Sequence, residues 1–252
     1  MNEFSEFEKR VIERIMQSPA PGKHAVRSAL RHLQRSFELA DTMPEVAFFL
    51  AITAEEESAT AVFCSIQRRK YQHSENLNIH SHKLKTALHP FLLGVGRVLN
   101  EYYEHRKPSI IFDTEHSPDG EELLRLRFHI QDESGREWHA MPLPALNFSI
   151  SLDGYPHDFS SELDKLATER SAKDIYSHVK RLANRRNQAL YASSNGIPHA
   201  RDVASFLTYR KSVVVSHLIT YLLIDQHAEH QLFVQQSLNA FLKMLGRLPK
   251  DT

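Results

Sequence analysis

The sequence predicts a mainly α-helical protein, a bundle carrying a small antiparallel β insert. Three observations carry this prediction. Apolar residues recur at steps of three and four along most of the chain, the period changes to two between Ser109 and Asp153, and 252 residues suit one large domain with an insertion better than two independent domains. The expected organisation is N-terminal helices over 1–108, the β insert over 109–153, and helices completing the same bundle over 154–252.

From Pro21 onward, Val26, Leu30, Leu33, Phe37 and Ala40 follow the spacing of one buried helix face ending near Asp41. Pro44 then opens a second helix running to about Lys70, where Arg68, Arg69 and Lys70 complement the C-terminal dipole as a solvated end. A third helix, from about Ile79 to Tyr103, carries Leu84, Leu88, Phe91, Val95, Val98 and Tyr102, with a kink or restart expected at Pro90. Four alternating stretches follow, "SIIFD", "LLRLRFHI", "EWHAM" and "LNFSISL", with turn signals at Pro118-Asp119-Gly120 and Ser134-Gly135. Their position between Pro108 and Gly154 marks them as an insert dispensable for folding of the helices. Helices return at about Ser161 through Ser193, at Ala200 to Gln226, and through Val234, Leu238, Phe241 and Leu245.

Lys plus Arg balance Asp plus Glu at 31 each, so no global field favours DNA, an anionic membrane or an acidic substrate. The single cysteine, Cys64, excludes an internal disulfide and a cysteine-based zinc cluster, and is read as packing in a reducing compartment. The N-terminal stretch lacks the uncharged core of a signal peptide, and "MPEVAFFLAITA" and "VVVSHLITYLLI" are too short and too polar for membrane spans. A cytoplasmic chain without a membrane partner is expected.

Charges interrupt two apolar stripes. Glu56 lies on the line Phe49, Ile52, Ala59, Phe63, Ile66, and Glu57 falls between Ala54 and Ala61. An unpaired buried carboxylate costs several kcal/mol, so a cation or a proton must accompany it. Arg186 stands on the line Ile175, Val179, Leu182, Ala189 and is the expected partner of Glu56 or Glu57. Arg185, Asn187 and Tyr191 crowd the same segment, and arginine, amide and phenol together suit a phosphate oxyanion.

Other chemistries find no support. No Glu has a His three residues later, as a di-iron bundle requires, and there is no His-Glu-x-x-His, no Gly-x4-Gly-Lys and no Gly-x-Ser-x-Gly. No metal or cofactor is expected. Gly94 to Gly96 is read as close helix packing, "HSHK" from His80 to Lys83 as a solvated helix start, and "HAEH" from His227 to His230 as surface.

"FLAITAEEESATA" resembles the glutamate-pair helix of the abortive infection protein V (AbiV) family, a branch of the HEPN superfamily of helical RNA-acting proteins. "HKLK", His82 to Lys85, resembles that family's His-Lys element, and "RRNQALYASSNGIP" its Arg-rich helix. The resemblance covers about residues 22 to 103 and 160 to 225. It implies a HEPN-like bundle that dimerises, a role in phage defence, and metal-independent RNA cleavage. HEPN nucleases carry Arg-x4 to x6-His; Arg186-Asn187 fits its start, with Tyr191 where histidine would stand and Thr60 where the glutamate helix often has lysine. Tyrosine titrates near 10 and is a poor base at neutral pH.

The literal spacing occurs at Arg27/His32, Arg68/His73 and Arg210/His217, and the last shares a stripe with Leu207, Val214 and Tyr221. His82 is another source of the missing imidazole, although the phase of Leu84 and Leu88 turns His80 rather than His82 inward. Two readings stay open. One is an RNA-cleaving defence or toxin protein, with Arg186 and Arg185 stabilising the phosphorane, Tyr191 or a histidine moving the proton, and Glu56 or Glu57 orienting the arginine. The other is a non-catalytic interaction module whose buried Glu/Arg pair is structural. Expected partners are a second copy of the chain, RNA, and a phage or host protein.

Overall fold

The computed structural model describes residues 4–102, 107–114, 120–131, 134–147, 155–168, 177 and 202–246. The helices are α1 (Glu6–Gln17), α2 (Gly22–Glu38), α3 (Pro44–Arg68), α4 (His82–Tyr102), α5 (Ser160–Thr168), α6 (Val203–Asp225) and α7 (Leu232–Met244), and the strands are β1 (Lys107–Asp113), β2 (Leu123–Gln131) and β3 (Glu137–Ala140). The mainly helical class and the small antiparallel sheet are therefore present. α1 is an addition to the sequence reading. It starts on a capping box in which the Ser5 hydroxyl accepts from the Glu8 amide and the Glu8 carboxylate accepts from the Ser5 amide.

α3 is the central helix, packed against α2, α4 and α6. Its contacts with α6 keep a nearly constant offset along the chain. Phe48 stacks on Phe206, Glu55 meets Arg210, Ser58 meets His217, and Arg68 meets Asp225, the last three pairs being 155, 159 and 157 residues apart. Partners that advance together define two helices running in the same direction. Such a pair requires a long crossover, and the sheet, α4 and α5 lie within it.

The far end of this pair corrects the expected solvated end at Arg68 and Arg69, while Lys70 is exposed as expected. Arg68 holds the buried Asp225 carboxylate through Nε at 2.9 Å, and both Arg68 and Arg69 donate to the Asp225 carbonyl. Two cations thus meet the C-terminal dipole of a neighbouring helix rather than their own. Tyr221 donates to the other Asp225 oxygen at 3.1 Å, and its ring crosses α2 so closely that a Cβ at Gly22 would lie 2.5 Å from Cε2. Gly94 is also a close approach, against Leu166, whereas Gly96 faces open space.

The sheet has the order β1-β2-β3 with both pairings antiparallel, Ile110 opposite Leu126 and Ile130 opposite Trp138. "LNFSISL" lies almost wholly outside the described residues. On one face of β2, Leu124 and Phe128 enter the core of the bundle. On the other, Arg125 is fully buried, bonded to Asp113 at 3.1 Å and to the Met141 and Pro142 carbonyls. Neutral amides attach the sheet and its following segment to the helices. Gln226 accepts from the Leu124 amide and donates to the Leu124 carbonyl, Gln231 accepts from the Leu146 amide, and Asn147 accepts from the Leu232 amide. His227, expected at the surface, is buried in this junction, and burial holds its imidazole down at about 4. His230 is exposed and stacks on Tyr71.

Cys64 is buried and free, as a packing residue would be. Among the described residues no helix is long and apolar enough to cross a membrane. The lower part of the bundle, where α3, α4, α6 and α7 converge, carries a half-open apolar cavity of about 180 Å³.

The buried face of β2 bears on the expected dispensability of the insert. Replacing residues 109–153 with a short Gly/Ser linker is expected to abolish the cooperative helical melt followed by circular dichroism, because it uncovers the core beneath Leu124 and Phe128. Leu124→Ala alone is expected to cost about 2 to 5 kcal/mol in urea unfolding. An unchanged melt in the linker variant would return the sheet to the status of an appendage.

Candidate functional site

α3 carries a second stripe beside the one through Glu56. Ala47, Ala51, Glu55, Ser58 and Val62 recur at helical spacing, and all are buried. Facing them, α6 presents Leu207, Arg210, Val214, His217 and Tyr221, also all buried. Two small residues and a serine on α3 leave room for the long arginine and the imidazole. Arg210 Nη1 donates to Glu55 Oε2, and the two side chains are each 3% exposed. The guanidinium lies over the Phe206 ring, 4.8 Å from its centroid. Glu55 Oε1 and Arg210 Nε have no hydrogen-bond partner.

Beside the ion pair, Ser58 donates its hydroxyl hydrogen to the Glu55 carbonyl at 2.8 Å, which leaves Oγ to accept from His217 Nδ1 at 2.8 Å. This network assigns the His217 hydrogen to Nδ1 and the ring's lone pair to Nε2. Nε2 is buried without a hydrogen-bond partner. α4 closes the third side. His89 stands edge-on to both His217 and Tyr209, with ring centroids 5.9 Å away in each case, and Lys85 and Thr86 are buried on the same helix. At the rim, His82 Nδ1 meets Glu56 Oε2 at 2.7 Å, with the imidazole 59% exposed and the carboxylate 7%.

Burial dominates the protonation equilibria. It pushes the Glu55 carboxyl above the usual carboxylate range, with the Arg210 charge pulling it back. It holds the His217 imidazole down at about 3, and the positive charges of His89 and Arg210 act in the same direction. The folded cluster therefore contains a neutral imidazole, a guanidinium and a carboxyl group with a raised proton affinity. Among the described residues no group of three His, Cys, Asp or Glu side chains is arranged to hold a metal ion.

The structure distributes the expected site residues unevenly. Glu56 is buried as its stripe requires, and among the described residues His82 meets its carboxylate. Glu57 is half-buried and acts electrostatically on His32, towards α2. His82, not His80, reaches the glutamate helix; α4 begins at His82, so the phase of Leu84 and Leu88 does not extend back to the exposed His80. Arg185, Arg186, Asn187 and Tyr191 lie outside the described residues, and so does the Arg186 pairing with Glu56 or Glu57. Arg210 and His217, one of the literal Arg-x4 to x6-His pairs, are brought together with Glu55 and Ser58. Glu55 itself is passed over by the stripe through Glu56, yet the line Ala47-Ala51-Glu55-Ser58 holds the signal.

The asymmetric protonation of the ion pair makes a testable difference. Arg210→Met leaves a carboxyl that can neutralise itself by taking a proton, whereas Glu55→Gln leaves a buried guanidinium that cannot. At pH 5 the Glu55→Gln protein is expected to lose about 3 to 5 kcal/mol and the Arg210→Met protein less, with the double replacement well below the sum. Equal and additive losses in urea titrations would argue against a coupled buried pair.

His217 supplies a pH signature. Its folded pKa lies below the unfolded value near 6.5, so its contribution to stability is complete above pH 6.5 and is lost as pH falls towards about 3. Glu55, with a raised folded pKa, contributes in the opposite sense: its stability is present below the ordinary carboxylate value and lost as pH rises through the folded one. The difference between wild type and His217→Gln isolates the histidine. Wild type is expected to lose more stability than the variant between pH 6.5 and 4, and parallel pH profiles would contradict the assignment.

Comparison with protein-family models, curated proteins and solved structures finds no match to this chain.

Proposed function

We propose that this protein is a HEPN-like helical protein of the AbiV type that acts on RNA in phage defence, as a metal-independent endoribonuclease, with Arg210 and His217 as its reacting pair. The observation that carries the reading is the packing of Arg210-x6-His217 on one helix against Glu55 and Ser58 of the glutamate helix, with the His-Lys element at the rim through Glu56 and His82. In this mechanism an RNA 2′-hydroxyl attacks the adjacent phosphorus and its proton passes to His217 Nε2. The Arg210 guanidinium, oriented by Glu55, stabilises the phosphorane charge. The bond to the 5′-oxygen breaks, that oxygen takes a proton from the medium or a neighbouring acid, and the products are a 2′,3′-cyclic phosphate and a free 5′-hydroxyl. An imidazole held at about 3 is a weak base. An anionic phosphate beside it raises its proton affinity, so substrate and base strengthen one another.

Complete burial of His217 favours a second reading, the non-catalytic interaction module. RNA reaches Nε2 only if α6 or α4 moves, whereas a purely structural cluster needs no opening. Arg185, Arg186, Asn187 and Tyr191 belong to the first reading as a further phosphate-binding set, and a second copy of the chain as its partner.

Incubating the purified full chain with total bacterial RNA in EDTA separates the two. Cleavage leaving 2′,3′-cyclic phosphate ends, lost by at least a hundredfold in His217→Gln while its melt persists, is the expected result. Intact RNA, together with unimpaired growth on expression, would support the interaction module. Loss of cleavage in Tyr191→Phe or Arg186→Lys, with His217→Gln fully active, would move the reaction to the Arg-rich segment.

A further inference from the structure

The cavity between α3, α4, α6 and α7 is lined almost wholly by apolar side chains and bordered by four phenyl rings, Phe63, Phe91, Phe233 and Phe241. Phe241 is at the centre of the aromatic set, with Phe91 edge-on at 5.2 Å and Phe63 tilted at 6.1 Å. Two hydroxyls reach the same space. Thr220 already donates to the Ser216 carbonyl at 2.9 Å and can only accept, while Ser237 Oγ is buried without any hydrogen-bond partner. A buried hydroxyl without a partner is uncommon in folded proteins, because it has lost its water and gained nothing in return.

A single water satisfies this arrangement poorly. It needs two to four polar partners, the two hydroxyls are the polar side chains bordering the half-open cavity, and the rest of the lining offers water nothing to bond. An apolar cavity of roughly 150 Å³ is large enough to take up benzene. We infer that this cavity is a binding site for a small monocyclic aromatic compound bearing one hydroxyl, its ring among the phenylalanines and its hydroxyl paired with Ser237. The ring fills volume that the side chains leave open, and edge-on contacts with Phe91 and Phe241 suit an aromatic ring better than an alkyl chain. The hydroxyl gives Ser237 both a donor and an acceptor. The site is distinct from the Arg210/His217 cluster, and the inference does not depend on the RNA reading.

Phenol and benzene are the probes, titrated into the full chain by calorimetry with a parallel thermal melt. Phenol is expected to bind saturably at one site per chain and raise the melting temperature, with benzene weaker by up to roughly tenfold. Ser237→Ala is expected to bind the two equally, and Val62→Phe, which fills the cavity, to bind neither while melting at or above the wild-type temperature. Should Val62→Phe fail to fold, Leu238→Phe fills the same space from α7. Absence of saturable binding by wild type up to the solubility of both probes would overturn the inference. So would phenol binding that survives filling of the cavity, or a phenol preference that survives Ser237→Ala.

Discussion

A guanidinium and a carboxyl group buried together between α3 and α6 constrain everything around them. Neither Arg210 nor Glu55 can reach water, so the two helices must stay in the register that keeps them in contact. Sliding α6 by one turn would separate this pair, the Ser58–His217 bond and the clamp on Asp225 at once. Parallel helices joined by a long crossover are weakly specified by chain connectivity. Polar ties placed at intervals along their length supply the missing specification, and the apolar residues between them supply the bulk of the burial.

The same closeness creates the chemical character of the cluster. Ser58 satisfies one His217 nitrogen, and the surrounding cations and apolar residues keep the ring neutral. A side chain needed only for packing could have been leucine at lower desolvation cost. Retaining imidazole, arginine and two carboxyls in one layer is intelligible either as a reaction site kept shut or as a device for fixing helix register, and chemistry on RNA differs from architecture in requiring that the layer open.

Periodicity made the helices and the sheet readable because one-sided burial leaves a repeat of three to four or of two. Pro44 and the Leu84-Leu88 stripe place α3 and α4 to within a few residues. Where burial is not one-sided, no single stripe marks the interior. α3 is covered by α2, α4 and α6 together, so several stripes compete and Glu55 does not stand out from Glu56 and Glu57. Arg68 and Arg69 looked like the solvated end of their own helix because the acidic partner, Asp225, is distant in sequence and adjacent only in space. His227 misled for a like reason: its neighbours along the chain are polar, and the segment that buries it belongs to the insert. Arg125, a charge in an alternating strand, would ordinarily mark the solvent face; the carbonyls of residues 141 and 142 make it an interior residue instead.

The glutamines at the α6–α7 junction have a consequence of a different kind. Gln226 treats Leu124 as a neighbouring strand would, accepting from its amide and donating to its carbonyl, while Gln231 and Asn147 hold the chain beyond β3. None of these side chains carries a charge or titrates. These amide ties are therefore insensitive to ionic strength, in contrast with the Arg10–Glu122 and Arg14–Glu121 pairs that link α1 to the start of β2. In strong salt the outer pairs would loosen first, leaving the sheet anchored by its amides, so the hold of α1 on the insert answers to the surrounding electrolyte sooner than the hold of the insert on α6 and α7.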